Sequence, residues 1–371
     1  MRLFGLILSI CLLYSNNGVA QNVPAHMNWQ HFYGDYHHSY PVELVQTTDS
    51  NFVMVGIHKE RHQIFDSRNV QLIKVTPDGE MLWNKIYPVS YGGVAFVGKG
   101  ECAQGDAWST HIDTDAQQDA YVGRVDSEGN MLWFRCLGGS HGETAYNLLE
   151  LDSGNILVNA VAPCGSIDSP DLSSCYGVRD FWLIKLDISG NIIWEKNYGG
   201  SLRDHSSLVI RHVDQIYLIG LSDSRDYDLE NHTSDLGVVV LSMDLEGHLD
   251  TLFKFPIQAE TMYYFNGITV QNDSLIWVAG SETYGFGANS QVDALVLKYN
   301  VNAPDSLMTY VYGGSSYDDF RDVDVYGEDK LVLTGVSRSN DGDAPSTGAG
   351  DAWVLQIDTS GSVLGSLFFG N

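Results

Sequence analysis

One stretch of this chain returns several times in altered form, and no other feature narrows the fold so far. DFWLIKLDISGNIIW (Asp180–Trp194) reappears as DAYVGRVDSEGNMLW (Asp119–Trp133) and, shortened, as DAWVLQIDTSG (Asp351–Gly361). A copy running from Asn69 to Thr76 continues to Gly79 and Trp83. Weaker copies begin at Gly237, with Asp244 and Gly247, and at Asp293, with Asn300. The starting points 69, 119, 180, 237, 293 and 351 lie 50 to 61 residues apart. A regular period of this size marks a chain built by repeating one supersecondary unit.

Each shared position has a physical reason. The residues between the acidic markers mix β-branched, aromatic and aliphatic types, which is strand composition. The Asp-x-x-Gly that follows is a hairpin turn. Asp126, Asp187 and Asp358 can accept hydrogen bonds from the backbone two residues on, while Gly129, Gly190 and Gly361 can take a positive φ. A second strand carries the tryptophan (Trp83, Trp133 or Trp194), whose expected place is between neighbouring repeat units. Next comes an aromatic-Gly-Gly corner, as at Tyr198-Gly199-Gly200 and Tyr312-Gly313-Gly314. Two further strands complete the unit, for example 207–211 with 215–220 and 322–325 with 331–335.

Four strands per unit and no helical periodicity predict an all-β fold: a single β-propeller of six four-stranded blades over residues 21–371. Sandwich strands do not repeat at this period, and β-helix coils are far shorter. Trp29–Gly34 resembles an outermost strand placed before the first full unit. That surplus strand either closes the ring against the last blade or begins a seventh.

The N-terminus carries an export signal over residues 1–20. Arg2 precedes an apolar run from Leu3 to Tyr14, and small residues precede the expected cleavage after Ala20. The run is too short to span a bilayer, so the mature chain is expected without membrane insertion, as a monomer in the periplasm or outside the cell. The full chain's formal charge of −27 repels phosphate backbones and argues against a nucleic-acid partner. Export permits disulfides. Cys164 and Cys175 flank one irregular loop and are expected to staple it, whereas Cys102 and Cys136 fall on opposite faces of a blade, beyond disulfide reach.

The pattern resembles the exported bacterial β-propeller repeat family called SBBP, common in Bacteroidota. That family runs Gly-x-Ser, a variable loop, Gly-x-Asp-Ala-aromatic-Val-x-Lys-Leu-Asp-x-x-Gly, a Trp, then aromatic-Gly-Gly-Ser and an Asp. Asp180–Trp194 with Tyr198-Gly199-Gly200-Ser201 and Asp204 matches it, as does Gly335-Val336-Ser337 with Asp351–Gly361. The likeness covers about residues 29–371. Thr251 and Gly365 stand where the tryptophan would be. The resemblance implies the fold and an extracytoplasmic location, and no single activity. A weaker similarity to the tryptophan-docking repeat of quinoprotein dehydrogenases lacks both the eight blades and the adjacent cysteines, so no quinone cofactor is expected.

Candidate chemistry is sparse. Asp341 and Asp343, and Asp226 and Asp228, place carboxylates in variable loops where hard oxygen ligands could hold calcium. Neither segment continues into an EF-hand, and solvated turns are the preferred reading of both. Calcium is thus the one cofactor the sequence suggests. His37-His38, and His58 with His62, have metal-like spacing but no Cys or Glu partner. Glycoside cleavage needs two carboxylates about 5–10 Å apart, and Glu43, Glu150, Asp318 and Asp319 could approach a central channel. The spacing from Asp187 to Gly190 departs by one residue from the sialidase box. No Gly-x-Ser-x-Gly elbow and no His-Glu-x-x-His occurs. The reading is a non-enzymatic binding or scaffold propeller that contacts a protein or glycan through its loop faces, with a polysaccharide hydrolase or lyase as the alternative.

Overall fold

The computed structural model describes residues 38–47, 49–59, 68–87, 94–97, 102–106, 120–138, 143–164, 172–230, 236–258, 260–285, 291–345 and 350–369. The signal segment, Trp29–Gly34, His37 and His62 lie outside them, and so do the side chains of His38, Glu43, His58 and Cys102.

These residues form six four-stranded antiparallel sheets, each a simple meander. The first holds β1 (His38–Gln46), β2 (Phe52–Lys59), β3 (Arg68–Val75) and β4 (Met81–Tyr87). The second holds β5 (Val94–Val97), β6 (Cys102–Asp106), β7 (Ala120–Val125) and β8 (Met131–Leu137). β9 (Thr144–Glu150), β10 (Ile156–Pro163), β11 (Arg179–Leu186) and β12 (Ile192–Tyr198) follow. β13 (Asp204–His212), β14 (Gln215–Ser222), β15 (Gly237–Asp244) and β16 (Leu249–Pro256) make the fourth. The last two are β17 (Thr261–Gln271), β18 (Leu275–Tyr284), β19 (Gln291–Asn300) and β20 (Leu307–Tyr312), then β21 (Asp318–Tyr326), β22 (Lys330–Ser337), β23 (Asp351–Asp358) and β24 (Val363–Phe369). Each repeat copy found in the sequence coincides with the third strand of a sheet. Strands of the second sheet are short at its start, with four residues in β5 and five in β6.

The chain falls into two compact units, one spanning 28–254 and the other beginning at Phe255. In the first, β1, β5, β9 and β13 pack side by side in sequence order; in the second, β17 packs on β21. The apolar cores lie between consecutive sheets rather than within one. Leu157, Phe181 and Leu183 meet Val209, Leu218 and Val239 in the first unit. In the second, Trp277, Ala279 and Val296 meet Phe320, Leu333 and Trp353. This layering explains the burial pattern. The middle strands are covered on both faces, as β10 and β14 are almost throughout, while the outer strand β4 is largely exposed. Four-stranded meanders stacked face to face along the chain are the blades of a β-propeller.

Local chemistry sets the outer hairpins. Asp187 Oδ1 accepts the amides of Ser189 (2.8 Å) and Asn191 (2.9 Å), with Gly190 at φ +83°. Asp126 does the same for Glu128 and Asn130, and Asp358 for Ser360 and Ser362, with Gly129 and Gly361 also at positive φ. A one-residue bulge follows each of these turns. The turn then receives the tryptophan of the preceding sheet. Trp83 Nε1 donates to Ser127 O and Trp133 Nε1 to Ile188 O, both at 2.9 Å. A Cβ on Gly190 would come 2.9 Å from the Trp133 ring, and one on Gly247 the same distance from Trp194. In the second unit Tyr310 takes this place against Gly361. These rings stay half-exposed. Among the described residues the wholly buried tryptophans are Trp182, Trp277 and Trp353, each on a middle strand.

Cys164 and Cys175 form a disulfide, Cα atoms 5.2 Å apart. Cys102 opens β6 and Cys136 sits in β8, so β7 separates their strands. Among the described residues no helix is long and apolar enough to cross a membrane.

Candidate functional site

The chain leaves β12 through Tyr198-Gly199-Gly200-Ser201 and enters the next sheet at Asp204. Leaving one sheet for another strips backbone amides of their ladder partners, and each must be satisfied elsewhere. Here carboxylates do it. The buried Asp204 accepts Gly200 N (2.9 Å) and the Ser224 hydroxyl (3.1 Å) through one oxygen. Asp226 accepts Ser201 N at 2.7 Å, and Asp228 accepts Gly199 N at 3.1 Å. Ser222 Oγ accepts Ser224 N. Charge-assisted bonds of this kind are stronger than neutral ones and fix the corner.

The second unit repeats the arrangement between β20 and β21. Asp318 accepts Gly314 N (2.9 Å) and Ser339 Oγ (2.6 Å), Asp341 accepts Ser315 N (2.7 Å), and Ser337 Oγ accepts Ser339 N. Asp343 enters through its own amide, which donates to Gly313 O at 2.9 Å. The corner signature is therefore Gly-Gly-Ser-x-x-Asp met by Ser-x-Ser-x-Asp-x-Asp. The four loop acids that suggested calcium belong to two such corners. Asp226, Asp228 and Asp341 aim an oxygen at a corner amide. Ser201 holds the Asp226 carboxyl below its ordinary range, while burial raises Asp228.

The two corners differ at one position. Between Asp341 and Asp343 stands Gly342, at φ +66°; between Asp226 and Asp228 stands Tyr227, at φ +54°. Glycine takes that conformation freely and tyrosine does not. Tyr227 is 57 % exposed and stacks on Tyr176, ring centroids 4.8 Å apart. Exposed Val178 and Leu202 flank the pair, tied by Val178 N donating to Leu202 O at 3.0 Å. The disulfide fixes this segment from one side and Tyr176 N, donating to Asp180 Oδ2 at 2.7 Å, from the other. Three loops thus present one aromatic and aliphatic surface.

The acids considered for glycoside cleavage do not converge. Asp318 is buried and caps its corner. Asp319, its neighbour on the strand, points to the other face, where it meets Arg321 (2.7 Å), the Tyr317 hydroxyl (3.1 Å) and Asn266 (3.0 Å). Glu150 lies half-buried near the end of β9. Sequence reasoning passed over Asp322 and Asp324 on β21. Burial first, and Asp324 beside it, push Asp322 up to about 7; Asp324 is raised as well, mainly by burial. Each carboxylate bonds the amide that follows it, Val323 N at 2.8 Å and Val325 N at 2.7 Å. It also passed over Asp180 and Asp204. Burial raises these two first, to about 7 and about 6. Their signal was present in the repeat, as the Asp that opens the third strand and the Asp that follows Gly-Gly-Ser.

No family model matches the chain, and no curated protein does. Among solved structures it is similar to the β-propeller domain of the Trilobed protease from Pyrococcus furiosus, at 9 % identity over 88 % of this chain and 91 % of that one, TM-score 0.46. A subtype N11 neuraminidase-like protein of A/flat-faced bat/Peru/033/2010 (H18N11) matches at 11 % identity over 88 % of this chain and 84 % of that one, TM-score 0.45. Prolyl oligopeptidase B from Galerina marginata matches at 10 % identity over 89 % of this chain and 43 % of that one, TM-score 0.45.

Proposed function

We propose that this chain is an exported, non-enzymatic binding protein of the bacterial repeat-propeller kind, with its six repeats as the blades of one ring, and that it holds a protein partner on the loop surface around Tyr176 and Tyr227. The observation that carries the reading is the backbone of Tyr227. A bulky residue held in the left-handed region and half out in solvent costs stability, of order 1–3 kcal/mol. The equivalent corner of the same chain uses glycine and avoids that cost. The stack on Tyr176 returns part of that cost, and presenting the ring to a partner gives a reason for the rest. The two tyrosines, with Arg203 exposed next to them, are residue types enriched at protein-binding hot spots, and exposed Val178 and Leu202 extend the apolar surface beside them. Val178 and Leu202 offer a glycan no side-chain hydrogen bond. The disulfide, the signal-like N-terminus and the strong negative charge suit a protein working outside the cytoplasm.

An array of envelope proteins and glycans probed with the mature chain tests this. The expected result is a protein ligand whose affinity falls at least about tenfold, roughly 1.4 kcal/mol, in Tyr227→Gly. Binding that Tyr227→Gly leaves intact, or binding to glycans alone, contradicts it. Asp322 and Asp324 favour a second reading, a polysaccharide hydrolase: one raised carboxyl and one neighbouring acid on the same strand. Reducing-sugar release from a polysaccharide panel that disappears in Asp322→Asn would establish it.

A further inference from the structure

The corner at Gly199 contains a charge problem that its hydrogen bonds leave unsolved. Asp180 and Asp204 are both fully buried, and Oδ1 of each has no hydrogen-bond partner. Their other oxygens are used, by Tyr176 N and by Gly200 N with Ser224 Oγ. The two carboxylates border one point: a Cβ built on Gly199 would land against Asp204 Oδ2 and 3.0 Å from Asp180 Oδ1. Asp228 approaches the same glycine from the third side. Lys254, bonded to Ser224 O at 2.8 Å, is a cation that acts on Asp204. A buried carboxylate without a partner is among the most costly groups a protein can hold.

We propose that the Gly199 corner binds a calcium ion between Asp180 and Asp204. The donors there are the Asp180 and Asp204 carboxylates with the Ser224 hydroxyl, while the nearby sulfurs of Cys164 and Cys175 are tied up in their disulfide; that oxygen set is hard and suits calcium rather than zinc or copper. Glycine at 199 keeps the space between the carboxylates clear of a side chain. The surrounding field, −27 overall, raises the local concentration of cations. The Gly313 corner is a built-in comparison. Asp318 Oδ1 is likewise without a partner, but both oxygens of Asp293 there accept Gln291 Nε2 at 3.1 Å, so neither lacks a donor. The ion therefore belongs to the corner that has two unmet oxygens. This sets the ion apart from the loop acid Asp226, whose Oδ1 accepts the Ser201 amide.

Calorimetric titration of calcium into the chelator-treated mature chain tests the assignment, with terbium as a second probe whose emission the neighbouring Tyr198 and Tyr176 would sensitise. The expected result is one ion per chain, a higher thermal midpoint with calcium, and a loss of affinity of roughly tenfold or more in both Asp180→Asn and Asp204→Asn. Asp318→Asn is expected to bind like the parent. No binding heat and no terbium emission from the unmodified chain would overturn the proposal, leaving a shared proton to neutralise the pair. Binding that survives Asp180→Asn, or that Asp318→Asn removes, would overturn it equally.

Discussion

Replacing Tyr227 by alanine and, separately, by glycine divides the cost of the corner from its surface role. Its φ of +54° costs a residue with a Cβ about 1–2 kcal/mol. The stacked pair with Tyr176, centroids 4.8 Å apart, returns about 0.5–1.5 kcal/mol. Tyr227→Ala keeps the backbone cost and loses the ring, so it should be destabilised by about 1 kcal/mol. Tyr227→Gly sheds the backbone cost, loses the ring, and adds about 0.4–1 kcal/mol of unfolded-state freedom, which leaves it within about 1 kcal/mol of the parent. The glycine variant should therefore be the more stable of the two by about 1 kcal/mol. At an ordinary position the order is reversed, with alanine ahead by about 0.4–1 kcal/mol. Urea unfolding of the three proteins, followed by tryptophan emission and compared at equal m, reads this order. An alanine variant as stable as the glycine variant, or more so, would mean that Tyr227 is not strained, and the functional argument built on it would fall.

Further outcomes follow from the same structure. Trp353, wholly buried between sheets, should cost about 3–5 kcal/mol when cut to alanine, and the half-exposed Trp133 clearly less; equal losses in urea titrations would contradict the layered core. Opening the Cys164–Cys175 staple, whose cysteines are 11 residues apart, with a dithiol should lower unfolding stability by about 2–3 kcal/mol, measured with and without reductant. Burial raises Asp180 and Asp204 from 3.8 to about 7 and about 6. The folded state thus holds these protons more tightly than the unfolded chain, so their contribution is complete below the unfolded 3.8 and is lost progressively up to the folded values of about 6 and about 7. In chelator, the urea midpoint should fall over that window, more steeply in the parent than in Asp180→Asn; parallel curves would refute it. The turn carboxylate Asp244 behaves oppositely. Backbone and ring donors of His248 lower it to about 2, so its contribution is lost only in strong acid.

The outer hairpins could be read from the sequence because their determinants are local. Asp187 bonds amides two and four residues on, and Gly190 sits within the same turn, so the pattern carries its own explanation. The sheet corners could not be read in this way. Asp226 and Asp341 looked like cation ligands because the amides they serve, at Ser201 and Ser315, lie 25 and 26 residues upstream. The recurrent tryptophans lie where the repeat implied, against the turn of the next sheet. Trp83, Trp133 and Trp194 stand out by their recurrence, yet Trp182, Trp277 and Trp353 are the wholly buried ones, on strands whose unbroken apolar runs conceal which residue reaches deepest. Tyr227 becomes conspicuous only when Asp226-Tyr227-Asp228 is laid against Asp341-Gly342-Asp343, and its significance needs the backbone angle. The raised pair on β21 needs the neighbouring strand as well, because nothing in the order of residues shows that Asp322 is enclosed.

Hydrogen–deuterium exchange of the mature chain, with and without the protein ligand that the array identifies, tests the central claim most directly. Binding at the Tyr176–Tyr227 surface should slow exchange in three segments together, 172–178, 199–203 and 223–230, and leave the Gly313 corner unchanged. Protection confined to β17 and β21, with those three segments exchanging as before, would place the partner elsewhere and contradict the account.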